Sequence, residues 1–327
     1  MKVLVTGGAG YIGSHVTRQL GEQGHDIVVL DNLSTGFERA ILYGELVVGD
    51  LADQTLLERL FEKHQFEAVL HFAANIVVPE SVEFPLKYYR NNTANVLNLL
   101  ETCAKFPPKY LIFSSTAAVY GEPDVAVVNE QSPLLPINPY GASKRMSEQM
   151  IMDYAAASDL NYVILRYFNV AGADLQARIG QSTPKATHLI KVATEAALGQ
   201  RDGMAVFGTD YPTEDGTCIR DYIHVEDLAS AHLAGLDYLE KGGQSTVLNC
   251  GYGHGASVTE VIETVKRVSG VDFPVKLEPR RAGDPAQLIS DNSKILDTLD
   301  WNPQYDDLEF IVKTAYAWQK KCVELDK

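Results

Sequence analysis

Short apolar runs alternate with stretches of helical periodicity through the first half of the chain. Residues 2–6, 26–30, 45–48, 68–74, 110–113 and 161–168 are rich in Val, Ile, Leu and aromatic side chains, with few polar interruptions. Runs of that length and composition predict strands buried on both faces. The intervening segments 14–23, 53–64, 81–104 and 140–158 space their apolar residues three and four apart, which predicts helices packed on those strands. Asp53 is a suitable N-cap for the second of them. Alternation of the two patterns predicts a doubly wound parallel sheet. Between residues 121 and 139 the pattern dissolves around Pro123, Pro133, Pro136 and Pro139, as in a surface loop.

Beyond residue 170 the elements shorten. Helical patterns cover 187–199, 225–240, 259–269, 293–299 and 307–320, and strand patterns 204–207, 246–250 and 275–278, with an acidic loop at 210–216. Periodicity leaves open whether 246–250 returns to the main sheet. The division implied is a dinucleotide-binding Rossmann-type domain over 1–170 and a smaller mixed α/β domain over 171–327. Substrate recognition belongs to the second, because ligands of open α/β sheets sit beyond the carboxyl ends of the strands.

The first strand breaks at a glycine cluster that satisfies two spacings, Gly8-x-Gly10-x-x-Gly13 and Gly7-x-x-Gly10-x-x-Gly13. Glycines there permit a sharp turn and let a pyrophosphate approach main-chain N–H groups at a helix N-terminus, whose partial positive charge faces the phosphates. Alone, such a spacing is also met by a tight turn that binds nothing. The second strand, however, ends in Asp31, where a dinucleotide fold places a carboxylate on the adenosine ribose. That carboxylate would repel a 2′-phosphate, so NAD is expected rather than NADP.

Charge narrows the classes. The 28 basic and 43 acidic side chains leave a formal charge of −15, which argues against nucleic acid or an anionic membrane as partner. Cys103, Cys218, Cys250 and Cys322 are widely spaced, without the pairing of a zinc site or a disulfide framework. No apolar run reaches membrane-spanning length and no signal peptide is evident, so a cytoplasmic protein is expected.

The sharpest chemistry lies in Tyr140-Gly141-Ala142-Ser143-Lys144. On a helix, positions i and i+4 share a face, so phenol and ammonium point into one space. A tyrosine with a pKa near 10 is a poor base at neutral pH, and neighbouring positive charge favours its phenolate. A lone Tyr-x-x-x-Lys is common on surface helices. Here it opens a helix after the loop that faces the crevice, and Thr116, at the end of the 110–113 strand, could hydrogen-bond the reacting oxygen.

Taken together, Thr6-Gly7-x-x-Gly10-x-x-Gly13, Ser114-Ser115-Thr116, Tyr140-x-x-x-Lys144 and Arg166-Tyr167-Phe168-Asn169 resemble the extended short-chain dehydrogenase/reductases. Within that family the chain is similar to the NAD-dependent UDP-hexose 4-epimerases over essentially its whole length. The stretches that carry this are 71–74, 80–82, 167–173, 207–216 and 220–225. The resemblance implies a resident NAD and interconversion of UDP-glucose and UDP-galactose. Tyr140 would take the 4-hydroxyl proton while hydride leaves C4, Lys144 would hold the phenolate charge, and Thr116 would orient the oxygen. The 4-keto sugar would then rotate and receive the hydride on its other face.

Site residues follow from the same resemblance. The glycine turn with Tyr11 and Ile12 would hold the pyrophosphate. Asp31, Asn32, Ser34, Thr35, Gly36, Asp50 and Leu51 would surround the adenosine. Phe72, Ala73, Ala74, Asn92, Ser114 and Tyr167 would complete the cofactor site beside Tyr140 and Lys144. For the nucleotide sugar, Phe207 would lie by the uracil, Arg220 and Arg281 on the diphosphate, Asp284 on the uridine ribose and Asn169 near the sugar. Phe168, His188, Leu189, Ala205, Tyr222 and Leu288 would fill out that site.

Three positions depart from common family patterns. Ile76 stands where some members carry a cofactor-reaching lysine, and His188-Leu189 stands for a common Asn-Leu. Leu288 replaces a bulky tyrosine beside the sugar 2-substituent, which implies that the N-acetylated UDP-sugars are also substrates. Rival readings are a uronate or pentose 4-epimerase, a 4,6-dehydratase and a non-catalytic NAD-binding regulator. Ala117-Ala118 after Thr116 lacks the acid pair of a dehydratase, and a regulator would be expected to lack Tyr140 or Lys144. Segments 81–104 and 140–158 resemble those that pair subunits in the family, implying a homodimer.

Overall fold

The computed structural model describes residues 1–183, 186–281 and 283–325. Seven parallel strands form the main sheet in the order Thr246–Cys250, Asn161–Tyr167, Tyr110–Ser114, Ala68–His71, Lys2–Thr6, Asp26–Asp31, Glu45–Val48. The chain thus winds outward from Lys2–Thr6 in one direction, then restarts at Ala68–His71 and winds in the other. The gap between those two strands is the topological switch point, where such sheets bind ligands.

Strand alternation divides the core. Val3 and Val5 face a layer that includes Leu228, Leu236 and Ile190, while Leu4 faces Leu57, Phe61, Leu99 and Leu100 on the other side. The helices Tyr11–Glu22 and Val225–Glu240 cover the first face. Asp53 caps the helix Gln54–His64 as expected, accepting from the Leu56 N–H at 3.0 Å.

The strand Thr246–Cys250 does return to the main sheet, pairing with Asn161–Tyr167. The expected single helix over 81–104 is broken. It is replaced by Val78–Glu83, Pro85–Tyr88, a π-helical stretch Tyr89–Ala94, and Asn95–Lys105. Pro85 is the cause of the first break: it lacks an N–H for the preceding turn and starts the next helix instead.

A second, mixed sheet orders Ala256–Ser257, Ile219–Arg220, Gln287–Ser290 and Val127–Val128. Two parallel strand pairs, Asn169–Ala171 with Tyr222–His224 and Met204–Phe207 with Val275–Glu278, complete the second half. Among the described residues no helix is long and apolar enough to cross a membrane, and no group of three or more His, Cys, Asp or Glu side chains could hold a metal. The four cysteines are buried and form no disulfide.

Candidate active site

The glycine turn meets the switch point directly. Gly7 has a φ of +72°, and a Cβ there would fall 2.5 Å from the Ala73 nitrogen on the neighbouring strand's exit. Only glycine allows both that dihedral and that approach. Gly10 is different: its φ of −77° suits any residue. A Cβ would meet only the Gly7 carbonyl oxygen, at 3.2 Å, and otherwise open space above the turn. The glycine therefore keeps a cradle clear over the start of the helix Tyr11–Glu22, and a pyrophosphate fits such a cradle. Tyr11 anchors that helix start by donating to the Gly172 carbonyl at 2.7 Å.

Beside the cradle, Asp31 is buried and accepts N–H bonds from Ala9 at 2.9 Å and Leu33 at 2.8 Å. Burial raises its pKa, and those two bonds offset part of the rise. Each carboxylate oxygen keeps a lone pair for a ribose hydroxyl. Asp50 accepts from Asn32 Nδ2 at 2.7 Å and from the Ala52 N–H at 2.8 Å, while the next residue, Leu51, is buried in the core. Ser34, Thr35 and Gly36 form the loop closing over Ala9: a Cβ on Gly36 would lie 2.7 Å from the Ala9 carbonyl carbon.

The candidate catalytic trio comes from one helix and one strand end. Asn138 caps the helix Pro139–Ala156, accepting from the Gly141 N–H at 2.9 Å, and Pro139 fixes its first turn. Tyr140 is thereby held in the first turn with its phenol buried and within the influence of the Thr116 hydroxyl. Thr116 itself follows the strand Tyr110–Ser114 and caps the turn Ala117–Val119. Burial raises the Tyr140 pKa, and the Thr116 hydroxyl lowers it. One helical turn on, Lys144 sits with its ammonium 4.4 Å from the centre of the Phe113 ring. Burial lowers its pKa to about 7, against the field of Glu148.

This trio faces the switch point. Lys144 helps to push the buried His71 down to about 3, after burial as the larger cause, and His71 hydrogen-bonds Thr6 at 2.8 Å, one residue before Gly7. Tyr167 lies close enough to Tyr140 for mutual repulsion of their anions, with the Ser114 side chain beside it. His232 donates from Nδ1 to the Leu228 carbonyl at 2.8 Å, which leaves Nε2 to accept from the Ser114 hydroxyl at 2.9 Å. Phe72 packs on the same imidazole, with ring centres 4.9 Å apart.

Asn92 is drawn elsewhere than into the crevice. It bonds both the N–H and the carbonyl of Asn75, at 2.8 and 2.9 Å, and donates to Ser143 at 3.1 Å. Its amide ties the 72–77 loop, which carries Ala73, Ala74 and Ile76, to the catalytic helix. Tyr88 was not foreseen. Its hydroxyl holds the same loop through the Val77 carbonyl at 2.7 Å, and its ring meets Tyr140 edge-on.

The nucleotide-sugar candidates form a second wall. Arg220 and Asp284 pair at 3.5 Å, and Arg220 also donates to the Pro285 carbonyl at 2.8 Å. Arg281 lies over the face of Phe207, 3.6 Å from its centre. The guanidinium therefore covers the π-face expected to receive a base. Leu288 is register partner to Arg220 and shares an apolar cluster with Phe168, Ala117 and Val119. Asn169 donates from its side chain to the Asp221 carbonyl at 3.2 Å and is the register partner of the buried Tyr222. His188 precedes the helix Leu189–Ala197, stands open to solvent and bonds Gln181 at 2.8 Å. Ala205 lies two residues before Phe207 on its strand.

Residues 3–251 match the model of the NAD dependent epimerase/dehydratase family. The chain belongs to that family. It is 55% identical over 320 residues to the UDP-glucose 4-epimerase of Azospirillum brasilense, covering 98% of this chain and 92% of that one. The solved structure of the UDP-Glc/GlcNAc 4-epimerase from Campylobacter jejuni is 57% identical with a TM-score of 0.87, covering 98% and 99% of the two chains. That of the Brucella ovis UDP-glucose 4-epimerase in complex with NAD is 46% identical with a TM-score of 0.94, covering 97% of both. The family's cofactor is NAD, and the cradle at Gly10 with the carboxylate of Asp31 fits it.

Proposed function

We propose that this protein is a UDP-glucose 4-epimerase that interconverts UDP-glucose and UDP-galactose. The observation that carries the reading is the buried Tyr140–Thr116 pair, one helical turn from Lys144, at the carboxyl end of the sheet beside the glycine cradle. Full-length similarity to proteins of that activity supports it.

The chain's own residues define the proton chemistry. Thr116 orients the sugar 4-oxygen toward Tyr140. Tyr140 takes the hydroxyl proton as C4 is oxidised and gives it back as C4 is reduced from the opposite face. Lys144, in its protonated form, supplies the positive charge that favours the phenolate. When bound, NAD would supply the hydride acceptor and donor. Arg220 and Arg281 would neutralise the diphosphate, so the sugar alone is free to turn.

Two finer points belong to this proposal. Leu288 leaves room at the sugar 2-position for an N-acetyl group, and the Campylobacter jejuni relative is an epimerase of both sugar types. The apolar side chains exposed on the helices around the catalytic face suit a homodimer. The setting is cytoplasmic galactose metabolism.

Purified protein incubated with UDP-galactose and no added cofactor should yield UDP-glucose, and a Tyr140→Phe variant should keep its NAD while losing turnover. No product from the parent, or full turnover in the variant, would sink the reading.

A further inference from the structure

Four site residues come from three separate chain segments: Thr116 follows one strand, Tyr140 and Lys144 open a helix, and Tyr167, a cofactor-site candidate, ends another strand. Beneath them lies one carboxylate. Glu148 is fully buried on the helix Pro139–Ala156, one turn beyond Lys144 and two beyond Tyr140. It takes Arg166 in a fork, Nη2 to Oε2 at 2.7 Å and Nε to the two oxygens at 3.1 and 3.2 Å. The Ser115 hydroxyl donates to its Oε1 in a short hydrogen bond.

Each partner is the chain neighbour of a site residue. Ser115 precedes Thr116, and Arg166 precedes Tyr167. Arg166 extends the lattice by donating to the Tyr120 hydroxyl at 3.2 Å, which donates to Asn249 Oδ1 at 2.6 Å on the sheet's last strand. Asn249 in turn donates to the Val128 carbonyl at 2.9 Å, in the small sheet that contains Leu288. Every side chain in this lattice is buried. A carboxylate so placed is costly to bury and can be held only by full pairing, so its geometry is rigid.

We propose that Glu148 is a positioning residue for the epimerase reaction: its carboxylate locks the catalytic helix to Ser115 and Arg166, and so sets the distance between Thr116, Tyr140 and Tyr167. This rests on the epimerase reading above. No member of the lattice is among the residues assigned above to the cofactor or the nucleotide sugar, so its loss should act on chemistry rather than on binding.

The test is steady-state kinetics of the purified holoprotein on UDP-galactose. Glu148→Gln should lower kcat by about a hundredfold, the scale of a misplacement of about 1 Å at a reacting centre. KM and bound NAD should stay near those of the parent. Glu148→Asp, which keeps the charge, should recover part of the loss. A kcat in Glu148→Gln within about threefold of the parent, or a fall explained by lost NAD or raised KM, would overturn the proposal.

Removal of one partner leaves Arg166 as a buried, unpaired cation, and the variant can fail to fold for that reason. In that event Ser115→Ala, which cuts only the arm to Thr116, and Glu148→Gln/Arg166→Met, which removes both charges, decide it: kcat near that of the parent in both would overturn the proposal. Parent activity separates the two readings. An inactive parent removes the epimerase assignment and this inference with it, whereas an active parent with an equally active Glu148→Gln removes this inference alone.

Discussion

Lys144 shows at the scale of one side chain how burial is set against function. Its folded pKa of about 7 lies below the ordinary lysine value, so the unfolded chain holds a proton the folded chain lacks between about pH 7 and pH 10. Stability contributed by this site therefore rises with pH across that window, by at most about 1.4 kcal/mol per pH unit. NAD-stripped Lys144→Met should be more stable than the parent near pH 6.5, and the gap should shrink by pH 9. Denaturant midpoints at the two pH values check this; a gap independent of pH would contradict it. Leu288 carries a second prediction. It is buried against Phe168 and the turn after Thr116, so Leu288→Tyr should fill the space beside the sugar. Turnover of UDP-N-acetylglucosamine should then fall at least tenfold more than that of UDP-glucose, since the larger substrate meets overpacking. Equal losses on both would mean that the residue does not gate the 2-substituent.

Residue by residue, legibility followed spacing. Tyr140, Lys144 and Thr116 were readable because a helical repeat and a strand end place them together. Glu148 was not, because an acid four residues after a lysine reads as an exposed ion pair on a helix surface. Only the depth of the helix between the sheet and its neighbours turns that pair inward. His232 was hidden for a similar reason: its neighbours Ser114 and Phe72 are distant in sequence.

At the scale of elements, the strand–turn–helix unit separates what the fold needs from what the cofactor needs. Gly7 is fixed by its backbone and by Ala73, whereas Gly10 is fixed only by the empty space above it. Gly10→Ala should leave stability within about 1 kcal/mol of the parent, the usual range for a compatible site. Bound NAD, measured from the absorbance of the nucleotide released on denaturation, should nevertheless fall sharply. Full NAD occupancy would show that the pyrophosphate does not lie over this turn. The alternating strands and helices of the first half were legible because each is long and periodic. The break at Pro85 was signalled by the residue itself but masked by the strong apolar repeat on either side. Two-residue strands such as Ile219–Arg220 and Ala256–Ser257 leave no periodicity to read, and their pairing is set by contacts far along the chain.

The whole molecule presents one feature that a single chain leaves unexplained. Leu86 is 78% exposed and Val82 63%, with Leu97 and Met146 also open to solvent on the helices Val78–Glu83, Pro85–Tyr88, Asn95–Lys105 and Pro139–Ala156, and Phe84 exposed between the first two. Those helices pack against one another, so their outward apolar side chains fall on one region of the surface. A contiguous patch of that kind is expected to be covered by a partner, and a two-fold pairing of identical patches is the simplest cover. The patch also lies on the outer side of the helix that carries Tyr140 and Lys144, so pairing would brace the catalytic helix from behind. Light scattering should give twice the chain mass of 35.9 kDa. Leu97→Glu/Met146→Glu sets like charges into the proposed seam from both subunits, where they are desolvated and repel, and should give single chains. Those chains should retain the fold, because both side chains are exposed in the protomer, and should lose stability toward heat as the bracing is removed. A parent that scatters as a single chain at micromolar concentration, or a double variant that still pairs, would place the interface elsewhere.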